Sequence, residues 1–284
     1  MRTTLWQKAL VILVLCIALL FIFPKNIVIQ NISDLFAAVA VIFGIIAGFF
    51  IAATFTNYFS LQSSVAEETS NLVALFEASI ILDPKIKEEL REAMDKYLIR
   101  LFDYELYDYD KSWPEFENIV KITDKIKKSD TSLYSYFLET RQNLRKSRKS
   151  AILTARKILG PAHWAILIIL SITLIFLVYV MRDAGIFSSI LTILISSAAC
   201  LILFLLYDID SDFFAEEKLA YDTYERAFEE IGKLPYYPQE SLKNKRINPN
   251  GKYRLGILEG DPKLFKRRIV IIDEDKQKRW QDQI

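Results

Sequence analysis

The sequence predicts an all-α membrane protein with four transmembrane helices, a helical cytoplasmic region and a small C-terminal β-hairpin. Three observations predict it. Four apolar blocks of near-span length interrupt the 284-residue chain, and a helix needs about 20 apolar residues to cross the hydrocarbon core. The charges fill the segments between those blocks. The long segments themselves carry helical periodicity.

The first block is Leu5 to Phe23. Arg2 and Lys8 also suit a signal peptide, but Phe23-Pro24-Lys25 lacks the small residues a signal peptidase cuts, so the block reads as an uncleaved helix. The second runs from Leu35 to Phe59, the third from His163 to Met181 and the fourth from Phe187 to Tyr207. Basic residues set the orientation. They precede the first block, crowd the stretch from Arg141 to Lys157 before the third, and follow the fourth at Lys218, Arg226 and Lys233. The other two connections hold only Lys25 and Arg182. Both termini and the large loop are therefore expected in the cytoplasm. Arg141 to Lys157 also suits anionic lipid of the inner leaflet, at about 1 kcal/mol per residue near the surface.

Three regions follow: residues 1–34, an N-terminal transmembrane anchor and short external loop; 35–240, a four-span core with cytoplasmic helices at 60–162; and 241–284, a cytoplasmic tail. The second span is expected to continue as a helix, with Leu61, Val65, Leu72, Leu75 and Ser79 on one face and Glu67, Glu68 and Asn71 elsewhere. Asp83-Pro84 ends it, as N-cap and first residue of a helix to about Tyr107. Trp113-Pro114 opens a shorter helix to about Lys127. A turn at Lys128-Ser129-Asp130 then leads to a long basic helix from Thr131 into the third span. Asp208 to Ile231 reads as a further helix and Leu234 to Asn250 as a loop with three prolines. Lys252–Leu258 and Arg267–Ile272 form the hairpin, around Gly260-Asp261-Pro262.

A net charge of +1 argues against a nucleic-acid partner. Cys16 and Cys200 lie in apolar blocks and form neither a disulfide framework nor a metal site. His163, the single histidine, reads as an interfacial residue beside Trp164. No nucleophile elbow, zinc-protease helix or phosphate loop occurs, so no catalytic residue, cofactor or metal is assigned. Asp208, Asp210 and Asp212 resemble an EF-hand start, but Phe213 stands where that loop needs Gly and Leu219 where it needs Glu. They read instead as caps at a helix N-terminus, where the dipole favours negative charge.

The second span carries the packing signal. Ala40, Gly44, Gly48 and Ala52 recur every fourth residue, and such a groove lets another helix approach closely. On the opposite side stand Ile42, Ile46 and Phe50, which face either lipid or a central axis. On an axis they form a hydrophobic constriction that gates by dewetting. Asn57, Ser60, Ser64, Glu67 and Asn71 share one face at the cytoplasmic end. They line a vestibule or belong to a helix turning amphipathic as it leaves the membrane. Asn57 and Glu67, with Asp208 and Asp210, are the candidates for a cytoplasmic mouth.

Several landmarks in order resemble the bacterial bestrophin-like family catalogued as a domain of unknown function. A small-residue span ends in Asn57-Tyr58 and continues through Val65 and Glu67-Glu68. Tyr97, Trp113-Pro114, Arg145-x-x-Arg148, Pro161, Trp164 and Leu206-Tyr207-Asp208-Ile209-Asp210 follow. The family often continues this last motif with Arg-Pro-Phe, where this chain has Ser211-Asp212-Phe213. The resemblance covers roughly residues 33–240. It implies a four-span homo-oligomer in the lipid bilayer of a bacterial inner (plasma) membrane. By analogy with bestrophins proper it also implies a ring around a pore for small inorganic anions, narrowed by large apolar side chains on successive turns of the second span. Ile42, Ile46 and Phe50 are the expected positions. The competing expectation is a membrane-anchored interaction or sensing protein that binds through its cytoplasmic helices.

Overall fold

In a computed structural model the description covers residues 5–23, 30–103, 106–128, 131–155, 159–210, 219–243, 249, 251–259 and 267–273. The side chains of 5–9, 103, 106–107, 219–221 and 243 are not among those described. Arg2, Lys25, Arg156, Lys157 and Lys218, which bear on orientation, therefore lie outside it with the side chain of Lys8, as do Ser129-Asp130, Asp212-Phe213, the turn at Gly260-Asp261-Pro262 and the tail beyond Asp273. The chain divides into two compact units: residues 1–57 with 157–211, and residues 58–156 with 212–284.

The first unit holds α1 (Leu5–Ile22), the first part of α2 (Ile32–Leu82), α6 (Pro161–Val180) and α7 (Ile186–Asp210). Helices α2, α6 and α7 are long and apolar enough to cross a membrane, and α1 adds a shorter apolar stretch, Leu10–Ile22. The three long helices coincide with the second, third and fourth apolar blocks. Their large apolar side chains point outward in number, as a lipid-facing surface requires, while Phe43, Ala47, Leu167, Leu174 and Leu206 pack together inside. Arg182 is not a plain loop cation. Its side chain is buried and donates to the carbonyl oxygens of Leu20 at 3.0 Å and Phe23 at 3.3 Å. A helix end leaves carbonyls without partners, and here an arginine from a distant loop supplies the donors for α1.

The second unit holds the rest of α2, then α3 (Lys87–Asp103), α4 (Trp113–Thr123), α5 (Ser132–Thr154), α8 (Leu219–Glu230), β1 (Tyr236–Pro238), α9 (Gln239–Lys243), β2 (Tyr253–Leu258) and β3 (Arg267–Ile272). Asp83 caps the turn that opens on Pro84, accepting from the Lys85 N–H at 3.1 Å, as the sequence predicts. Thr131 does the same for α5. Helix α3 stops at Asp103, earlier than expected, and a 3-10 turn at Leu106–Ser112 fills the interval before Trp113. Of the helix expected from Asp208 to Ile231, residues 208–210 belong to α7 and Leu219–Glu230 form α8; residues 211–218 lie outside the described residues. Gly232, at φ +73°, takes the left-handed conformation that stops α8 and lets the Lys233 N–H reach the Phe228 carbonyl at 2.8 Å.

The hairpin strands form where predicted and pair antiparallel, Leu255 opposite Val270. The expected loop before them contributes a third strand: β1 pairs parallel with β2, Tyr237 opposite Leu255, in a sheet of order β1-β2-β3. Pro238 sits at the end of an edge strand, where its missing N–H is tolerated. At Gly256 an added Cβ would lie 2.0 Å from the Tyr236 hydroxyl, so the Tyr236 ring occupies the space a side chain would need. Arg254 fastens the sheet to α3, with both terminal nitrogens on the Asp95 carboxylate at 2.6 and 2.8 Å and Nε on the Leu234 carbonyl at 2.9 Å.

Candidate functional site

Helix α2 carries the candidate residues. At about 100° per residue its buried face in the first unit runs through Phe36, Phe43, Ala47 and Thr54. Ala40, Ile46 and Phe50 lie at the edges of that face and pack into the same cluster. Phe50 also meets the His163 ring edge-on at 5.3 Å. Ile42 is exposed, so the three constriction candidates do not share one environment. The large apolar residues left open are one position earlier. Val41, Ile45 and Phe49 recur one turn apart and are 60%, 68% and 67% exposed. A two-faced helix in lipid offers no polar contrast to distinguish the two ladders by sequence, so only the packing separates them. Beside this open ladder, Gly44 and Gly48 have nothing within 4 Å of where a Cβ would stand, and Ala52 is exposed. Among the described residues the middle of the small-residue groove, Gly44 to Ala52, is open, while Ala40 at its start is packed.

The polar stripe divides. Ser64 is buried and shares a 2.8 Å hydrogen bond with Ser150, while the Asn71 amide lies 3.5 Å from the Ser147 hydroxyl, so both serve a seam between α2 and α5. Glu67 stays exposed and accepts from Ser63 at 3.3 Å. Asn57 is half-buried. Asp208 and Asp210 are buried within α7, a helix that begins at Ile186, and so do not stand at a helix N-terminus as the sequence predicts. Asp210 is stabilised by accepting from the Leu159 N–H at 3.1 Å and the Trp164 indole N–H at 3.3 Å. It thereby fixes the approach to α6, where the Nδ1 of His163 accepts from the Gly160 N–H at 3.1 Å.

The second unit contains a site that the sequence reading missed. Glu68 does not lie off the buried face of α2; it is 2% exposed, among Leu61, Val65, Leu72 and Leu75. Its carboxylate accepts from the hydroxyls of Tyr97 on α3 and Tyr109, the latter at 2.9 Å. Tyr109 in turn meets the Tyr224 hydroxyl of α8 at 3.1 Å. Arg148, read from the sequence as one of the lipid-facing basic residues, is 1% exposed instead. It lies 3.5 Å from Glu68, donates to the Tyr97 hydroxyl and to Ser112 Oγ at 3.1 Å, and stacks over the Phe116 ring at 4.6 Å. Burial pushes the Glu68 carboxyl up from its ordinary range, against the opposing pull of Arg148 and the two tyrosines. Burial and the neighbouring Glu68 carry Tyr97 and Tyr109 well above the usual phenol range, so both remain donors. Chemically the arrangement is a closed hub binding five helices and a 3-10 turn. Each of the landmarks Glu68, Tyr97, Trp113 and Arg148, far apart in sequence, belongs to it or touches it.

Among the described residues no cluster of His, Cys, Asp and Glu could hold a metal ion. A family model described as Bestrophin-like domain matches residues 9–214, which takes in α1 as well as the region where the landmarks lie. No curated protein and no solved structure matches the chain.

Proposed function

The chain belongs to the bestrophin-like family, and from that membership we propose that it is an oligomeric pore for small inorganic anions, with four helices of each subunit crossing a bacterial inner membrane and both termini in the cytoplasm. The observation that carries the proposal is the open face of α2. Large apolar residues at Val41, Ile45 and Phe49 repeat on successive turns and stay mostly exposed, beside Gly44 and Gly48, which have no close neighbour among the described residues. A neighbouring subunit's helix fits against Gly44 and Gly48, since small residues allow close backbone approach. With that contact made, the adjacent ladder turns toward the axis and narrows it by excluding water. Ile42 extends this ladder; Ile46 and Phe50 brace it from behind. Asn57 and Glu67 sit toward the cytoplasmic mouth. No step of this reading needs a catalytic group or a cofactor.

The test is chloride efflux from liposomes holding purified protein of measured oligomeric mass. Efflux above that of empty liposomes is expected. An assembled, monodisperse protein with no efflux of any small anion would sink the pore and leave the second reading, a membrane-anchored interaction protein. That reading draws on the second unit, which has a complete hydrophobic core of its own and an open groove between α2 and α8.

A further inference from the structure

Two surfaces of the second unit fit one another and cannot meet within one chain. The first is a groove of about 570 Å³ between α2 and α8. Its floor on α2 is Ala66, Ser70 and Ala74, one turn apart, so a foreign helix can approach the backbone closely. Its rim is acidic: Glu77, Asp222 and Glu230 outnumber Arg226, and none of the three carboxylates has an ion-pair partner among the described residues. The second surface is a ridge on α5. Arg145, Lys149 and Leu153 stand exposed one turn apart, with Lys146 alongside, and these cations also have no ion-pair partner among the described residues. Helix α5 touches α2 through Ser147 and Ser150, which face Asn71 and Ser64. At about 100° per residue both the groove and the ridge turn roughly a third of a revolution away from that seam. A subunit therefore cannot lay its own ridge in its own groove.

We propose that the α5 ridge of one copy of this chain lies in the α2–α8 groove of the next. Leu153 meets the small-residue floor while Arg145 and Lys149 face Glu77 and Asp222. The contact is heterologous, using two different patches, and contacts of that kind give a ring when the rotation between copies closes and an open filament when it does not. It is an amphipathic helix in a groove, with opposite charges fixing the register. The proposal rests on the oligomeric reading above but not on ion conduction.

The test uses full-length protein in detergent and reads mass by light scattering over a dilution series. Arg145→Glu with Lys149→Glu, and separately Glu77→Lys with Asp222→Lys, are each expected to raise the concentration for half-assembly tenfold or more. Combining all four is expected to bring it back to within about threefold of wild type. In the wild-type charge background, Ser70→Cys with Leu153→Cys is expected to give an intermolecular disulfide on mild oxidation, which neither single variant gives. This holds even where a reversal variant does not fold. Both double reversals assembling like wild type would overturn the proposal. So would a fourfold variant as dissociated as its parents. If Arg145→Glu with Lys149→Glu instead lost only binding to anionic vesicles, the ridge would belong to lipid and the proposal would fall. An assembled wild type that conducts nothing would sink the pore and leave this contact standing.

Discussion

Arg148 and Glu68 stand 3.5 Å apart with almost no access to solvent, on helices that approach from 80 residues apart in sequence. Removing one member of such a pair leaves the other charged and buried. Arg148→Met should therefore destabilise the protein by about 3–5 kcal/mol at neutral pH. Without the cation, the Glu68 carboxyl moves further above its unfolded value. A carboxyl raised in the folded state contributes stability below its unfolded pKa and loses it as pH rises. The deficit of the variant should be smallest in acid and grow toward neutrality. Thermal unfolding of both proteins across that range checks this; a deficit independent of pH would mean that Glu68 carries no charge in the wild type.

Asp210→Ala should free the segment before α6. The buried Leu159 N–H loses its acceptor, which costs about 1–3 kcal/mol. The Trp164 indole loses its acceptor too, so its emission should shift to the red. Asp210→Asn keeps a carbonyl oxygen and should retain most of the stability. Equal losses in the two variants would point to the charge and not to the hydrogen bonds.

The two ladders of α2 predict different phenotypes. Val41, Ile45 and Phe49 changed together to Ala should widen the proposed constriction, raise anion flux and weaken discrimination by ion size. Ile46 and Phe50 changed to Ala remove intrachain packing, so they should lower stability before they alter selectivity. Planar-bilayer recording with unfolding curves for each variant separates them. The reverse assignment would place the pore on the Ile46–Phe50 side.

Topology is open to labelling. Cysteine at Asp183, which is exposed in the connection between α6 and α7, should react with an impermeant reagent added outside sealed cells. Cysteine at exposed Lys121 should not, until the membrane is broken. Ser112 is a poor probe because its side chain is buried against Arg148. Labelling at 121 in sealed cells would invert the proposed orientation.

Arg254→Lys should loosen the sheet from α3. A lysine keeps the charge but cannot present two parallel donors to Asp95 or a third to the Leu234 carbonyl. Hydrogen exchange in β2 and β3 should speed up by about tenfold or more while α5 is unaffected. Unchanged exchange in β2 would show that strand pairing alone holds the sheet.

Much of this architecture was legible because length and periodicity are local. The three long apolar helices, the cap at Asp83 and the strands at Tyr253–Leu258 and Arg267–Ile272 all follow from residues close together in sequence. The hub was also written in a periodicity, but its charge disguised it. Glu68 fits the spacing of Leu61, Val65, Leu72 and Leu75, and Arg148 fits that of Phe137, Leu144 and Ala151. Each alone looks like a solvated residue. Only their pairing across the fold makes either position tenable inside, and pairing over 80 residues leaves no local trace. The parallel strand β1 escaped for a related reason: Tyr236–Pro238 is short, ends in proline and depends on a partner many residues later.

Gly256 has a consequence for how the tail finds its place. The Tyr236 ring fills the volume a Cβ would take there, while Arg254, Leu255, Ile257 and Leu258 all bring side chains. If β2 slid along β1 by one position, a side chain would collide with that ring. The strand would also turn its buried face outward. The tyrosine therefore acts as a proofreader, admitting one alignment of the C-terminal strands and rejecting its neighbours by steric exclusion.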